Sequence, residues 1–309
     1  MTETQRARRL RALGNALLML TAMIWGTAFV AQRVGMDHIE PLTFSAARMA
    51  LAAVAVGLVS FATPRRASGR EGAAALRRNT RLGGVFCGAF LASASIAQQM
   101  GIVTTTAGKA GFITALYMLL VPIFAFLLFR KHSTWLVWLA VLAGVAGMYL
   151  LCMKEGLRLS RGDALMCLCA VLFCGHILCC DHFAPRADPI RMSAIQFAAA
   201  TLICAAAALV AESPSWEKIA SAAVPILYCG LVSGGLGYTL QIVAQRWTDP
   251  TVASLLMSLE SVFAVLAGAL LLGERMTGRE LLGCAIMFVA IVLVQIPLPA
   301  RRAERRSAD

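Results

Sequence analysis

Long apolar runs separated by short polar breaks dominate this chain. Each run has roughly 20 residues, the length that an α-helix needs to cross about 30 Å of hydrocarbon. Lipid offers backbone groups no hydrogen-bonding partner, so helices, which satisfy their own backbone, are the expected spanning elements. The pattern predicts ten spans, at 14–34, 41–62, 82–103, 108–129, 134–153, 163–180, 191–211, 222–243, 251–273 and 280–297.

Composition supports the same class of protein. Of 309 residues, 59% are hydrophobic and only 14% are charged, which is far from the balance of a soluble globular domain. The sequence carries no Gly-rich phosphate loop with a lysine, so ATP hydrolysis by this chain is not expected. We therefore predict an all-α integral membrane protein.

Basic residues concentrate on one side of the predicted membrane topology. Ten spans place the tails 1–13 and 298–309 and the long loop 63–81 on that side, and all three are rich in arginine. By the positive-inside rule both termini are predicted to be cytoplasmic, in a multi-pass protein of the cytoplasmic (inner) membrane. The net charge of +12 then indicates contact with anionic lipid at the cytoplasmic face, and no nucleic acid partner is expected. The loop 63–81 is expected to be a mobile connector.

An acidic residue precedes a proline at three of the predicted span starts, Glu40-Pro41, Asp188-Pro189 and Asp249-Pro250. An acidic N-cap followed by proline in the first turn favours the start of a helix. Each pair is therefore predicted to cap the helix that follows it.

Weak internal similarity indicates a duplication. One offset aligns Pro41 with Pro189, and a nearly equal offset aligns Val121 with Val265. The predicted repeats are 14–153 and 162–297. Five spans is an odd number, so the second repeat must be inverted relative to the first. Inverted repeats are typical of secondary transporters, with the substrate site near the midplane of the membrane.

Three segments carry a family resemblance: ALLMLTAMIWGTAFVAQRVGMDHIEPLTFSAARM, TTTAGKAGFITALYMLLVP and LGYTLQIVAQRWTDPTVASLLMSLESVFAVLAGALLLGE. The combination resembles the EamA-like branch of the drug/metabolite transporter superfamily. The most specific motifs are Trp25-Gly26, Tyr238-Thr239 and Leu272-Gly273-Glu274. The resemblance implies ten helices in two repeats, a central cavity and export of small metabolites or toxic analogues. Where the family often has Glu-Pro, this chain has Glu260-Ser261 and so lacks a proline to kink the helix.

Glu260 is the first candidate for a functional residue. It lies near the middle of the predicted span 251–273, where a carboxylate is costly and usually functional. It could carry a proton or hold a substrate cation. The alternative is a protonated or hydrogen-bonded glutamate that joins two helices.

The other candidates are polar or aromatic residues inside spans. Arg48 could bind an anionic group, although snorkelling or pairing with an interhelical carboxylate is slightly favoured. Trp25 is as consistent with a cavity wall as with a packing aromatic. The remaining residues could line a cavity, but each alone is more often an ordinary interhelical hydrogen-bonding group. They are Gln98, Gln99, Thr114, Tyr117, His176, Tyr238 and Gln241.

The ten cysteines lie in or at the edge of apolar helices. Cysteine in such positions usually acts as a small hydrophobic residue. Cys167 and Cys169 lack the usual spacing of a zinc pair, Cys179 and Cys180 are adjacent, and His176 is the only histidine well inside a predicted span. No metal, disulfide or cofactor is therefore expected.

These features favour a secondary transporter of small metabolites, amino acids or drug-like compounds, working by alternating access, with proton coupling as an option. Its partner is a small-molecule substrate, and it is a monomer or a homodimer. The alternative is a membrane-embedded enzyme or a lipid-handling scaffold. That alternative would be favoured if Glu260, His176 and Arg48 converged in a closed pocket, because catalysis needs clustered groups. No enzymatic activity is expected.

Overall fold

The computed structural model describes residues 3–64, 70–103, 112–152, 161–272 and 276–295. All regular secondary structure in these ranges is helical. The helices are α1 (Glu3–Met36), α2 (Pro41–Ala62), α3 (Arg70–Ile102), α4 (Tyr117–Phe129), α5 (Trp135–Cys152), α6 (Arg161–Phe183), α7 (Pro189–Ala211), α8 (Trp216–Ser221), α9 (Ala223–Ala244), α10 (Pro250–Met257), α11 (Glu260–Leu272) and α12 (Gly278–Gln295).

Within the described residues, eight helical stretches are long and apolar enough to cross a membrane. They fall in α1, α2, α3, α6, α7 and α9, in 112–129 and in 250–267. Helix α5 contributes a shorter apolar helix, Trp135–Leu151. The predicted class, an all-α membrane protein, is confirmed, whereas the count of ten spans stays a prediction.

Two helices are much longer than the apolar runs that predicted them. Helix α1 begins at Glu3 and α3 at Arg70, so charged turns continue each helix beyond its apolar part. The prediction that the whole of 63–81 is a mobile connector is wrong for 70–81. This stretch is rich in Ala, Arg and Leu, which favour a helix even where no apolar face requires one.

The span predicted at 251–273 is not one continuous helix. Helix α10 ends at Met257 and α11 begins at Glu260, although no proline lies between them. The hydroxyl of Ser258 donates to the Leu255 carbonyl at 2.7 Å. The Leu259 amide bonds the carbonyl three residues before it, at 3.3 Å. Such local bonds compete with the α-helical ladder and replace proline as the cause of the break.

A similar break occurs in the first half of the chain. Residues 112–115 are helical, Leu116 is a turn, and α4 begins at Tyr117. The Leu116 amide bonds the Ile113 carbonyl at 3.2 Å, again three residues back. The sequence offset aligns Leu116 with Glu260, directly after the second interruption at Ser258-Leu259.

All three acidic residues precede helices that begin at the following proline, as predicted. Asp188 accepts a hydrogen bond from the Arg191 amide at 3.3 Å, and Asp249 accepts one from the Thr251 amide at 2.9 Å. Glu40 occupies the N-cap position of α2, but its side chain makes no cap bond and pairs with Lys218. The hydrogen bond from Lys218 lowers the pKa of the Glu40 carboxyl.

Residues in α7 or directly after it cap both ends of helix α2. The Glu212 carboxylate, just after α7, accepts from the amides of Leu42 and Thr43 at 2.9 Å and 2.7 Å. At the other end, Arg191 near the start of α7 donates to the carbonyls of Ser60 and Thr63 at 3.1 Å and 3.0 Å. The start of each helix therefore meets the end of the other, and α2 and α7 are antiparallel neighbours.

Helix α9 is wound as a π-helix over Tyr228–Tyr238. Its glycines allow close approach by other helices: a Cβ on Gly230 would lie 3.0 Å from the Arg48 carbonyl, and one on Gly237 would lie 2.7 Å from Trp25 Nε1. The backbone of α2 and the Trp25 ring therefore pack directly against α9. Such π-helical turns often occur at functional sites.

Candidate functional site

A small cavity of about 40 Å³ lies between the helices. Its walls come from α1, α2, α3, α6, α9 and α11 and from the segment around the Leu116 turn. The lining residues include nine of the ten side chains predicted as candidates, all except Gln99: Trp25, Arg48, Gln98, Thr114, Tyr117, His176, Tyr238, Gln241 and Glu260. The structure thus brings these residues together, while their roles stay predictions.

Glu260 stands at the helix break, as the first residue of α11. Its carboxylate is 7% exposed and accepts a hydrogen bond from the Tyr117 hydroxyl at 3.3 Å. Tyr117 is itself the first residue of α4, so the two interrupted helices meet at the cavity. The N-terminus of a helix favours a negative charge, which helps a buried carboxylate to exist there.

Arg48 provides the guanidinium of the cavity. It is 8% exposed, donates to Gln32 Oε1 at 3.2 Å, and lies over the Phe44 ring with Cζ 5.9 Å from the ring centroid. Its Nε has no hydrogen-bonding partner among the described residues. Within the described residues Arg48 forms no salt bridge with a carboxylate, and its role stays a prediction.

Aromatic rings form one wall of the cavity. Trp25 Nε1 donates to the Ser233 carbonyl of the π-helix at 3.0 Å. The Trp25 and Tyr238 ring centroids are 4.6 Å apart, and the His176 ring meets Tyr238 edge-on at 5.6 Å. Of the two alternatives for Trp25, it is therefore part of the cavity wall.

The polar side chains of the cavity are partly satisfied by protein groups. His176 Nε2 is 2.9 Å from Gln196 Oε1, and Gln241 Nε2 donates to Gln245 Oε1 at 3.0 Å. Gln241 Oε1 has no partner among the described residues, although the side chain is only 1% exposed. That oxygen and Arg48 Nε are both buried polar atoms without a hydrogen-bonding partner among the described residues.

Two further candidates differ in what they contact. The Thr114 hydroxyl points at sulfur, 3.4 Å from Met166 Sδ, in addition to lining the cavity. Gln98 lines the cavity, whereas Gln99 is fully buried away from it. Neither amide atom of Gln99 has a partner among the described residues.

Sequence reasoning missed several residues of the cavity, among them Gln32, Phe29 and Ser233. A signal for two of them was present, because Phe29 and Gln32 follow Trp25 at helical spacing and so share its face of α1. Ser233 contributes mainly through its backbone carbonyl, which no side-chain pattern reveals.

The condition that would have favoured an enzyme is only partly met. Glu260, His176 and Arg48 line the same cavity, yet their hydrogen bonds go to Tyr117, Gln196 and Gln32. A nucleophile and its base need direct contact. Within the described residues these three groups make no such contact, so the geometry does not assemble a catalytic set.

Comparison with known proteins shows to which family the chain belongs. The model of the EamA-like transporter family matches residues 12–153 and again residues 160–296. The chain belongs to the EamA-like transporter family. An uncharacterized transporter from Archaeoglobus fulgidus is 26% identical to this EamA-like chain over 272 residues, which are 83% of this chain and 77% of the relative. Family and relative together identify a membrane transporter and point away from an enzyme.

The fold of this EamA-like protein has been seen before. One solved crystal structure, whose description names no activity, superposes with a TM-score of 0.75. The match covers 91% of this chain and 96% of the other at 17% identity. At that identity the likeness concerns the fold alone.

Proposed function

We propose that this EamA-like protein is a secondary transporter that moves a small organic solute across the cytoplasmic membrane by alternating access. The observation that carries the proposal is the central cavity, which one buried carboxylate and one buried guanidinium line together. Burying both charged groups without pairing them is costly, so a cavity that keeps them is best explained by a ligand that engages them.

The transporter is built from two inverted five-helix repeats, about 14–153 and 162–297, with ten spans. Two separate family matches support the duplication. Helices α2 and α7, which begin at the aligned prolines Pro41 and Pro189, lie antiparallel, as inversion requires. The helix breaks close to the aligned positions Leu116 and Glu260 support it further. Helices α5 and α12, which pack along each other, supply the two remaining spans.

The substrate is a small metabolite, an amino acid or a drug-like compound with both apolar and polar groups. Trp25, Phe29 and Phe173 offer apolar surface, while Arg48 Nε and Gln241 Oε1 offer an unused donor and acceptor. Such a mixture of aromatic walls and few polar groups is typical of small-molecule sites.

Transport proceeds outward, as the family resemblance implies. The protein is a monomer or a homodimer, and anionic lipid contacts its cytoplasmic face.

A comparison of metabolites tests the proposed function most directly. Cells that overproduce the protein should contain less of the exported solute and release more of it than cells that overproduce Glu260→Gln. The candidate solute is then tested for uptake into proteoliposomes. If purified protein moves none of the solutes that differ between the two strains, the proposal is overturned.

Glu260 is the proposed proton carrier. Glu260→Gln keeps the shape and the bond from Tyr117 but cannot bind and release a proton, so flux driven by a pH gradient in proteoliposomes should be lost. Glu280→Gln is a matched control, because Glu280 is also buried but caps the start of α12 away from the cavity. Unchanged flux and pH dependence in Glu260→Gln would remove Glu260 from the mechanism.

A further inference from the structure

Two cysteines and a histidine meet in the protein interior beside the transport cavity. Cys87 lies on α3, while His176 and Cys180 lie one turn apart on α6. Their ligand atoms are all within 4.8 Å of one another, and all three residues are buried. No spacing motif predicts this group, because Cys87 is 93 residues from Cys180.

The distances suit a shared metal ion. The two sulfurs are 3.6 Å apart, and Cys180 Sγ lies 3.8 Å from His176 Nε2 and 4.0 Å from Nδ1. Two sulfurs bound to one tetrahedral zinc ion at about 2.3 Å each would lie roughly 3.8 Å apart. Small side-chain movements would therefore place all three ligands around one ion.

The ring of His176 is held as in metal sites. Its Nε2 is 2.9 Å from Gln196 Oε1, and a histidine that donates from one nitrogen presents the lone pair of the other, here Nδ1. Gln196 is completely buried, so its position is fixed by packing. The contact with Gln196 restricts the ring, and Cys180 Sγ lies within 4.0 Å of both ring nitrogens.

We infer that Cys87, His176 and Cys180 bind Zn²⁺. Thiolate and imidazole ligands select zinc over magnesium or calcium, which prefer oxygen. Binding displaces two thiol protons to solvent, and the two thiolates then balance the charge of the ion, so the buried complex is neutral. Zinc usually takes a fourth ligand, and Cys179, which packs against the same cluster, is a further thiol beside the site.

The consequence is a metal link between α3 and α6 next to the transport cavity. His176 both lines the cavity and belongs to the metal site, so bound zinc fixes one side chain of the cavity wall. The inference does not depend on transport: metal binding is measured on the purified chain, whatever solute it moves.

The test uses full-length protein purified in detergent, treated with a chelator and titrated with Co²⁺ and then Zn²⁺. We expect one Co²⁺ per chain with a thiolate-to-cobalt charge-transfer band, its displacement by Zn²⁺, and release of two protons per Zn²⁺. Zinc should also raise the unfolding temperature. Cys87→Ser and Cys180→Ser should each weaken binding by at least about 100-fold, and Gln196→Leu by roughly 10- to 100-fold.

Cys174→Ser is the matched control, since Cys174 is a buried cysteine of α6 outside the group. It should bind zinc as the parent does. If the serine variants do not fold, the parent protein is alkylated with and without Zn²⁺ instead, and the modified cysteines are mapped by mass spectrometry. Zn²⁺ should then protect Cys87 and Cys180 from the alkylating reagent. Absence of a cobalt band, equal affinity in Cys87→Ser, or a Cys87–Cys180 disulfide in the reduced preparation would overturn the inference.

Discussion

At the scale of single residues, the charged groups of the cavity are the unusual feature. A membrane protein rarely buries a glutamate and an arginine without joining them, since each pays a large desolvation cost. Here Glu260 is supported by one tyrosine and a helix N-terminus, and Arg48 by one glutamine and an aromatic face. Both groups therefore keep hydrogen-bonding capacity for a ligand.

The bond between Tyr117 and Glu260 can be tested alone. Tyr117→Phe keeps the ring but removes the donor to Glu260, and a hydrogen bond to a charged group contributes about 1.5–3 kcal/mol. We expect flux to fall roughly 10-fold or more with little change in unfolding temperature. Tyr149→Phe is the control, because Tyr149 packs edge-on against Phe112 and does not line the cavity. Equal flux in the two variants would contradict a role for the bond.

At the scale of elements, interrupted and closely packed helices shape the site. The breaks before α4 and α11 put Tyr117 and Glu260 at helix starts that face each other across the cavity. Gly26 explains why α1 can reach the second break, because a Cβ there would lie 2.6 Å from the Glu260 carbonyl. The Trp25-Gly26 motif thus combines a cavity wall with a close helix contact.

Gly26→Ala should disturb this contact. The added Cβ would lie 2.5 Å from Phe263 Cβ and 2.8 Å from the Ala264 amide nitrogen, and since part of the contact is backbone, α1 must shift. We expect a loss of stability of about 1–3 kcal/mol and a large loss of flux. Gly57→Ala is the control, because nothing lies within 4 Å of its Cβ position. It should leave stability unchanged or raise it, measured by thermal unfolding in detergent.

The capping of α2 by Glu212 is a second prediction for an element. Glu212→Gln removes the charge that accepts from the Leu42 and Thr43 amides, so the unfolding temperature should fall by an amount equivalent to about 1–2 kcal/mol. Glu217→Gln, at an exposed position of α8, should not change it. If both substitutions lowered the unfolding temperature equally, the loss of a surface charge would explain the change, and the cap would not.

At the scale of the whole molecule, inversion of two repeats accounts for several separate features. The antiparallel pair α2 and α7 and the paired α5 and α12 are each formed by helices at equivalent positions of the proposed repeats. Substrate access from alternate sides then follows from rocking of one repeat against the other around the cavity.

The proposed topology makes a prediction about labelling. In a Cys167→Ser background, which removes an exposed native thiol, Glu217→Cys should react with a membrane-impermeant maleimide in intact cells. Arg186→Cys, at the opposite end of the bundle, should react only after the membrane is permeabilised. Both positions are exposed, so access to the reagent depends on the side of the membrane. The reverse pattern would place both termini outside.

The sequence by itself determined the class of the protein, most helix positions and the family. Hydrophobic run length is a local property, and it located α2 to the residue. A charged residue inside an apolar run can also be recognised from the neighbouring sequence, so Glu260 and Arg48 were identified as candidates without a structure. The helix break at Ser258 was hidden, because it depends on side-chain to backbone bonds and on the close approach of Gly26, and no proline marks it.

Only the tertiary structure decided which of these residues meet. Each candidate glutamine, threonine or aromatic residue had an ordinary packing explanation, and convergence on one cavity depends on how seven helices rotate and tilt against each other. Packing also directs the Glu40 side chain to Lys218, so the carboxylate that accepts from the first amides of α2 belongs to Glu212. It also unites Cys87 with His176 and Cys180, since contacts between distant segments arise from packing and leave no periodic trace in the chain.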